Sequence, residues 1–432
     1  MKRVLVFAGK LGYQTRSFDA AARKLGVELA FVTDRCHQLE DPWGDRAIAV
    51  HFESPEAAAY TVMEEVRRSG ERVDGILALG DRPAVAAAYV ARGLGLQYNH
   101  PAAVEACRSK LRMREVFRDA GLRVPWFRSV ALQPAPEPAL LGISYPCVLK
   151  PISLSASTGV IRANNREEFL TAAGRVRRVL ESPEVLASRE ANLDQMIVEG
   201  YIPGREVAVE GLLMDGELSV LAIFDKADPL EGPFFEETIY VTPSRLGEAQ
   251  VRKIERCAAE AVRALGLSHG PVHAELRINE DGVWPLEVAP RPIGGLCARA
   301  LRFVTEQSDE VIGLEELLLR HAVEMPVADW KREAAASGVM MIPVPNSGVL
   351  EAVEGKEDAQ ATPNVVGLET TARLHDYIAA WPEGSSYLGF LFARAETAEE
   401  VERALRVAHR KLRFVFRERL AVEHPATGRV VG

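Results

Sequence analysis

No two of the five cysteines in this 432-residue chain stand as a C-x-x-C pair; Cys36, Cys107, Cys147, Cys257 and Cys297 are scattered and odd in number. That argues against a disulfide framework or a zinc knuckle, and reduced, buried thiols are expected instead. Long apolar runs are missing as well. Nothing approaches the roughly 20 residues of a membrane-spanning helix, and Val4–Ala8 is too short for a signal peptide before it meets Gly9. Positive charge is in deficit: 52 Lys and Arg face 61 Asp and Glu, a net charge of −9. No global field exists to hold nucleic acid or an anionic membrane, so neither is an expected partner and a cytoplasmic location is expected. The P-loop pattern G-x-x-x-x-G-K-[ST] is absent. Gly9 and Gly12 fall short of G-x-G-x-x-G, and a plain tight turn is their simpler meaning.

What is present is ordinary for a globular protein, with 47% apolar and 26% charged residues and length for two to four domains. The first hundred residues alternate strand and helix: a strand at Val4–Ala8, a helix to Leu25, a strand at Glu28–Thr33. Ser54 and Pro55 then open a helix by N-cap and first-turn proline, and Gly75–Leu79 is a strand before Gly80-Asp81 and an Ala-rich helix. This predicts a parallel sheet with ligands at the carboxyl ends of its strands. A charged helix at Lys110–Ala120 and a Pro-rich connector at Gln133–Pro138 follow. Beyond Tyr145 strands dominate (Cys147–Lys150, Gly159–Arg162, Met196–Gly200, Glu206–Met214, Glu217–Phe224), with helices at Glu167–Leu180 and Glu248–Leu265. The last third predicts a helix at Glu310–Arg320, strands at Val339–Val344 and Ser386–Ala393, and a final helix at Thr397–Leu412. The fold class is therefore α/β followed by α+β.

Gly270–Arg291 is the most informative segment. Val272, Ala274, Leu276 and Ile278 read as an apolar face continued by Trp284, Leu286 and Val288, while His273, Glu275, Arg277, Glu287 and Arg291 fall on the other. A three-residue turn, Glu280-Asp281-Gly282, would pair Asn279 with Val283 and so Glu275 with Glu287. Two carboxylates about 5 Å apart at Cβ repel unless something positive meets them. Either Arg277 or Arg291 does so on a solvated face, or a divalent metal with phosphate ligands does; the second is the expectation. Gly294-Gly295 would let backbone approach a ligand. His273 either binds substrate and helps deprotonate an amine, or is merely hydrogen-bonded in the sheet.

Lys150 ends an apolar strand and is followed by Ser153–Val160, small residues whose backbone N–H groups suit phosphate oxygens. Glu199 and Glu206 flank a short bend, Tyr201-Ile-Pro-Gly204, and Asp225-Lys226 with Phe235-Glu-Glu-Thr238 adds a lysine and carboxylates at a strand end.

In this order these segments resemble the ATP-grasp superfamily. His273-Ala-Glu275, Pro290–Gly295, Asp225-Lys226 with Phe235–Thr238, and Tyr387–Arg394 resemble the bacterial L-amino acid ligases, which form dipeptides. The resemblance implies a pre-ATP-grasp domain over 1–103, an ATP-grasp domain of two α+β subdomains over 104–300, and a C-terminal α+β domain over 301–432. It implies an ADP-forming carboxylate–amine ligase acting through an acyl phosphate on small acids and amines such as amino acids, often as a homodimer. It further implies that Lys110 and Lys150 contact ATP phosphates, with Lys226 at the γ-phosphate, Ser157 and Gly159 in the covering loop, Glu199 and the backbone of Ile202 at adenine, and Glu206 at the ribose. Glu275 and Glu287 would bind Mg²⁺ or Mn²⁺, and Arg291 would stabilise the transferred phosphoryl group. Ala289 departs from the pattern, standing where many relatives place a metal-ligating asparagine.

Overall fold

The computed structural model describes residues 1–9, 13–34, 47–137, 142–384 and 386–417, with two short strands at 422–423 and 430–431. Gly12, Cys36 and Pro138 lie outside the described residues. The chain begins with β1 (Lys2–Phe7), α1 (Tyr13–Leu25), β2 (Val27–Thr33), β3 (Ala47–Ala49), α2 (Pro55–Ser69), β4 (Gly75–Ala78) and α3 (Asp81–Leu94). The strands form the expected parallel sheet, in the order β3-β2-β1-β4. Continuous apolar runs such as Val4-Leu-Val-Phe7 are what a strand buried on both faces needs, and all four of those residues are at most 1% exposed. Ser54 stands at the N-cap of α2 but its side chain makes no cap bond, so Pro55 at the first turn is the surviving start signal.

Helices α4 (Pro101–Arg108) and α5 (Lys110–Asp119) lead to a small four-stranded sheet, β5-β8-β6-β7, built from β5 (Phe127–Ala131), β6 (Cys147–Pro151), β7 (Ile161–Ala163) and β8 (Gln195–Gly200). Helix α6 (Arg166–Leu180), capped by the Asn165 side chain, covers one face of this sheet, and α7 (Pro183–Ser188) follows.

The largest sheet has eight strands. β9 (Arg205–Met214), β10 (Glu217–Lys226), β11 (Ile239–Thr242), β12 (Gly270–Asn279) and β13 (Gly282–Ala289) form one half, and α8 (Glu248–Leu265) packs beneath it. After β14 (Arg302–Thr305), β15 (Ser308–Gly313), α9 (Leu314–Ala322) and β16 (Lys331–Arg332), the sheet resumes with β17 (Ala336–Ile342). The chain continues through β18 (Gly348–Glu354), α10 (Lys356–Gln360), β19 (Val365–Thr370), β20 (Tyr377–Ile378), β21 (Gly389–Ala395), α11 (Ala398–His409) and β22 (Arg413–Arg417). The large sheet runs β13-β12-β9-β10-β11-β17-β21-β19, so C-terminal strands extend the central ones without a break.

The predicted helix at Glu310–Arg320 begins only at Leu314, because Ser308–Gly313 pairs with β14 as a hairpin. Leu314, Leu317 and Leu318 of α9 share a core with Val4, Val6 and Phe18, so this late helix covers the first sheet.

Candidate active site

Alternation along three neighbouring strands puts charged side chains on one face of the large sheet. His273 lies opposite Glu210, and Arg277 opposite Glu206, where β12 meets β9. On the other edge of β12, Glu275 lies opposite Glu287. The route to that pairing differs from the expected one. The turn has two residues, Glu280 and Asp281, pairing Asn279 with Gly282; a β-bulge at Leu286 then adds one residue to β13 and restores the Glu275–Glu287 match. Trp284 and Leu286 consequently leave the expected apolar face. Trp284 lies opposite Arg277 and donates its indole N–H to Asn279 Oδ1 at 3.1 Å, while Val283 packs on the core with Ile278 and Leu276.

At the centre is the ammonium of Lys226, almost fully buried. It contacts Glu206 Oε1 at 2.6 Å, Glu275 Oε1 at 3.3 Å and Glu237 Oε1. Burial works against its charge, yet the three carboxylates outweigh burial and hold its pKa well above that of a free lysine. Glu237 also accepts from the Tyr240 hydroxyl at 2.7 Å. Burial pushes Glu237 up to about 7, against the pull of Lys226. Glu275 is held well below the usual carboxylate range, because Lys226 and His273 overcome its burial.

Glu206, Glu237 and Glu275 each offer a carboxylate oxygen within 4.8 Å of the others. Hard oxygen donors of this kind suit Mg²⁺ or Mn²⁺ completed by phosphate oxygens, and in this structure the ammonium of Lys226 holds the centre of the group, so a divalent cation would use the carboxylate oxygens that Lys226 leaves open. Glu287 is outside that group and faces Lys110 Nζ at 3.4 Å. Ala289 is buried opposite His273 and offers no ligand.

Glu199 forms a second focus. It is 2% exposed and takes Arg114 in a bidentate pair, Nε at 2.7 Å and Nη2 at 3.2 Å, with Lys150 Nζ at 2.5 Å. Burial alone would raise its pKa, but Arg114 and Lys150 draw it down to about 2. Burial, together with the charges of Arg114 and Lys110, lowers Lys150 in spite of Glu199. Lys110 Nζ donates to the Leu154 carbonyl at 2.6 Å, tying α5 to the small-residue loop that holds Ser157 and Gly159. The Ile202 carbonyl accepts from Arg277 Nη1 at 2.6 Å, and Arg277 Nε reaches Glu206 Oε2 at 2.7 Å. The side chains of Glu199 and Glu206, expected at adenine and ribose, are thus held by cations of the protein itself.

Arg291 points toward the first domain. Its Nε donates to Asp81 Oδ1 at 2.8 Å and its Nη2 to Oδ2 at 3.3 Å, with Asp81 opening α3 at the carboxyl end of β4. Neither hairpin arginine contacts the facing glutamates directly; Lys226, His273 and Lys110 make those contacts, and Arg291 acts on Glu287 only through its charge. His273 Nδ1 pairs with Glu210 and its Nε2 lies 3.5 Å from Glu275. Burial disfavours the imidazolium, but Glu210 and then Glu275 override it and raise its pKa to about 9. Gly295 has φ +62°, and a Cβ there would meet the Phe390 ring at 2.9 Å, so it serves the approach of β21 rather than of a ligand.

Sequence reasoning missed Arg114, Asp81, Glu210 and Tyr240 as members of this constellation, and it noted Glu237 only as one of the carboxylates of Phe235–Thr238. The signals existed in part: Arg114 lies one helical turn after Lys110, and Glu210 two alternations after Glu206.

The remaining chemistry is quiet. Cys107, Cys147, Cys257 and Cys297 are buried and unpaired, and burial pushes Cys147 and Cys257 up to about 12. Among the described residues no helix is long and apolar enough to cross a membrane.

Residues 143–300 match the ATP-grasp domain, and residues 340–417 match the L-amino acid ligase C-terminal domain 2. The alanine–anticapsin ligase of Bacillus amyloliquefaciens is 29% identical over 269 residues, covering 56% of each protein. The ATP-grasp enzyme fsqD of Aspergillus fumigatus is 26% identical over 318 residues, 64% of this chain and 53% of its own length. The chain thus spans about half the length of these relatives. The L-amino acid ligase of Bacillus licheniformis superimposes with a TM-score of 0.77 and 26% identity, covering 97% of this chain and 99% of that one. The charged cluster on the central sheet thus lies in a segment that matches an ATP-grasp domain, followed by one that matches the C-terminal domain 2 of the L-amino acid ligases, and the whole fold is similar to that of the Bacillus licheniformis enzyme.

Proposed function

We propose that the protein joins a carboxylate to an amine with conversion of ATP to ADP and phosphate, and that both organic substrates are amino acids or one is a related small acid. A carboxylate oxygen attacks the γ-phosphorus, the bond to the β,γ-bridging oxygen breaks, and ADP leaves. The amine nitrogen then attacks the acyl carbon, phosphate departs with its electron pair, and the nitrogen gives up a proton. Nothing in this sequence needs a covalent protein nucleophile.

In this reading Lys110 and Lys150 bind phosphate oxygens, and Arg291 meets the charge that builds on the transferred phosphoryl group, held ready by Asp81. Glu275 and Glu287 hold the divalent cation, with Glu206 and Glu237 close to Glu275 as further oxygen donors. Bound there, the ion would neutralise charge on the phosphate oxygens. Ser157 and Gly159 belong to the loop over the phosphates, Lys226 orders the carboxylates and approaches the γ-phosphate, and the Glu199–Glu206 bend receives the nucleoside. His273 aligns Glu275 and does not accept the proton from the amine, because Glu210 and Glu275 keep its ring protonated.

One observation carries the reading: carboxylates of β9, β12 and β13 and cations of β6, α5 and the chain after β13 form one charged cluster, in a chain whose C-terminal module matches that of the L-amino acid ligases. The test is a phosphate-release screen over pairs of the twenty amino acids with mass analysis of the products. Release that needs two amino acids and gives a product lighter than their sum by one water supports the reading. Release driven by bicarbonate or a ribonucleotide, and by no amino acid, moves the protein to another branch of the superfamily.

A further inference from the structure

The C-terminal module also reaches onto the loop between β6 and β7. Trp381 is 7% exposed, and its indole N–H donates to the Ala156 carbonyl at 3.3 Å. The carbonyl of the next residue, Pro382, accepts from the Gly159 amide at 3.1 Å. Glu383 then holds Arg175 of α6 through two bonds of 2.9 Å. Three consecutive residues therefore grip both the loop and the helix that backs its sheet.

The gripped loop needs holding. Ala156 and Ser157 sit at φ +55° and +53°, a region L side chains rarely occupy and keep only when their surroundings fix them. Gly159 is at φ +69°, and a Cβ there would lie 3.0 Å from the Pro151 ring. At its other end the loop is tied to α5, through Lys110 and the Leu154 carbonyl. Trp381 also lies 4.9 Å from Tyr387 between ring centroids, and Tyr387 is 6.3 Å from Phe390. An aromatic row thus runs from the loop to the strand against Gly295, beside the carboxylate cleft.

Resting on the function proposed above, we propose that Trp381–Glu383 is a clamp that holds the phosphate loop closed, with Trp381 as a positioning residue. Nucleotide binding is thereby tied to the docking of the C-terminal module on the small sheet. The indole N–H and the Pro382 carbonyl fix the loop backbone, and the Glu383–Arg175 pair fixes the helix under it.

Amide hydrogen exchange of residues 153–160 in the full-length protein, alone and with ADP and Mg²⁺, reads the clamp directly. Trp381→Phe keeps the ring and removes the donor; exchange at Gly159 and its neighbours should rise about fivefold, the ratio one neutral hydrogen bond is worth. Glu383→Arg should also loosen the loop, and adding Arg175→Glu should largely restore it. The Michaelis constant for ATP should rise several-fold in the loosened variants with kcat nearly unchanged, a split that a general loss of folding would not give. Wild-type exchange in Trp381→Phe, or no recovery in the charge-swapped double variant, would overturn the clamp. Exchange decides this whether or not ATP is turned over; wild-type protein with a protected loop and no turnover would count against the ligase reading alone.

Discussion

At the scale of single residues, the cleft is governed by which cation meets which carboxylate. Arg291 is oriented by Asp81 from another domain, so Asp81→Asn keeps the shape but loses the charge that fixes the guanidinium. The expected result is a fall in kcat of about tenfold or more, equivalent to about 1.4 kcal/mol of transition-state stabilisation. Unaltered kcat would remove Asp81 from the mechanism.

Arg114 makes a different kind of pair. Removing it as Arg114→Met leaves Glu199 buried with Lys150 alone, which should destabilise the fold by about 3–5 kcal/mol in urea unfolding. The Glu199 contribution is present above the ordinary glutamate pKa and is lost as pH falls toward its folded value of about 2.

His321 has the opposite sensitivity. Its ring lies 4.4 Å from that of His269, and its Nε2 reaches the Leu213 carbonyl at 3.1 Å. Burial and then His269 push its pKa down to about 4. Because the unfolded chain takes up that proton first, neutral His321 stabilises the fold fully above about pH 6.5 and progressively less below it. Between pH 7 and pH 5 the loss should be roughly 2 kcal/mol, and His321→Gln, which keeps the donor, should flatten that part of the stability curve.

At the scale of elements, period-two alternation found the hairpin, because side-chain direction follows sequence parity in a strand, and the facing glutamates came out as expected because the bulge offset the shorter turn. Alternation was not enough to find the bulge. One extra residue at Leu286 changes parity halfway along β13, and two apolar residues gave no sign of which was extra. Lys150 stood out at the end of its strand and Lys110 came only with the family resemblance, whereas the contacts of Asp81 and Arg114 span more than eighty residues and that of Glu237 depends on burial of a loop carboxylate. Helix α9 was legible as a helix but not as the cover of the first sheet, since its apolar stripe suits any partner. That packing has a direct test. A Cβ at Gly75 would lie 2.1 Å from the Ala322 carbonyl oxygen, so Gly75→Ala must separate β4 from α9. A cost of about 1–3 kcal/mol is expected, measured as a lower midpoint in thermal unfolding; an unchanged midpoint would contradict the packing.

At the scale of the whole molecule, the eight-stranded sheet crosses the line between the central and C-terminal regions, and Trp381 carries the C-terminal module onto the small subdomain. The cleft is therefore walled by all three regions: Asp81 from the first, the hairpin and Lys150 from the second, the aromatic row from the third. The central claim is that an oxygen of the carboxylate substrate becomes an oxygen of the released phosphate. Supplying a carboxylate labelled with heavy oxygen, together with its amine partner and ATP, and weighing the phosphate tests that claim directly. The account predicts one heavy oxygen in each phosphate formed with product; unlabelled phosphate, or release of AMP and pyrophosphate in place of ADP and phosphate, would contradict it.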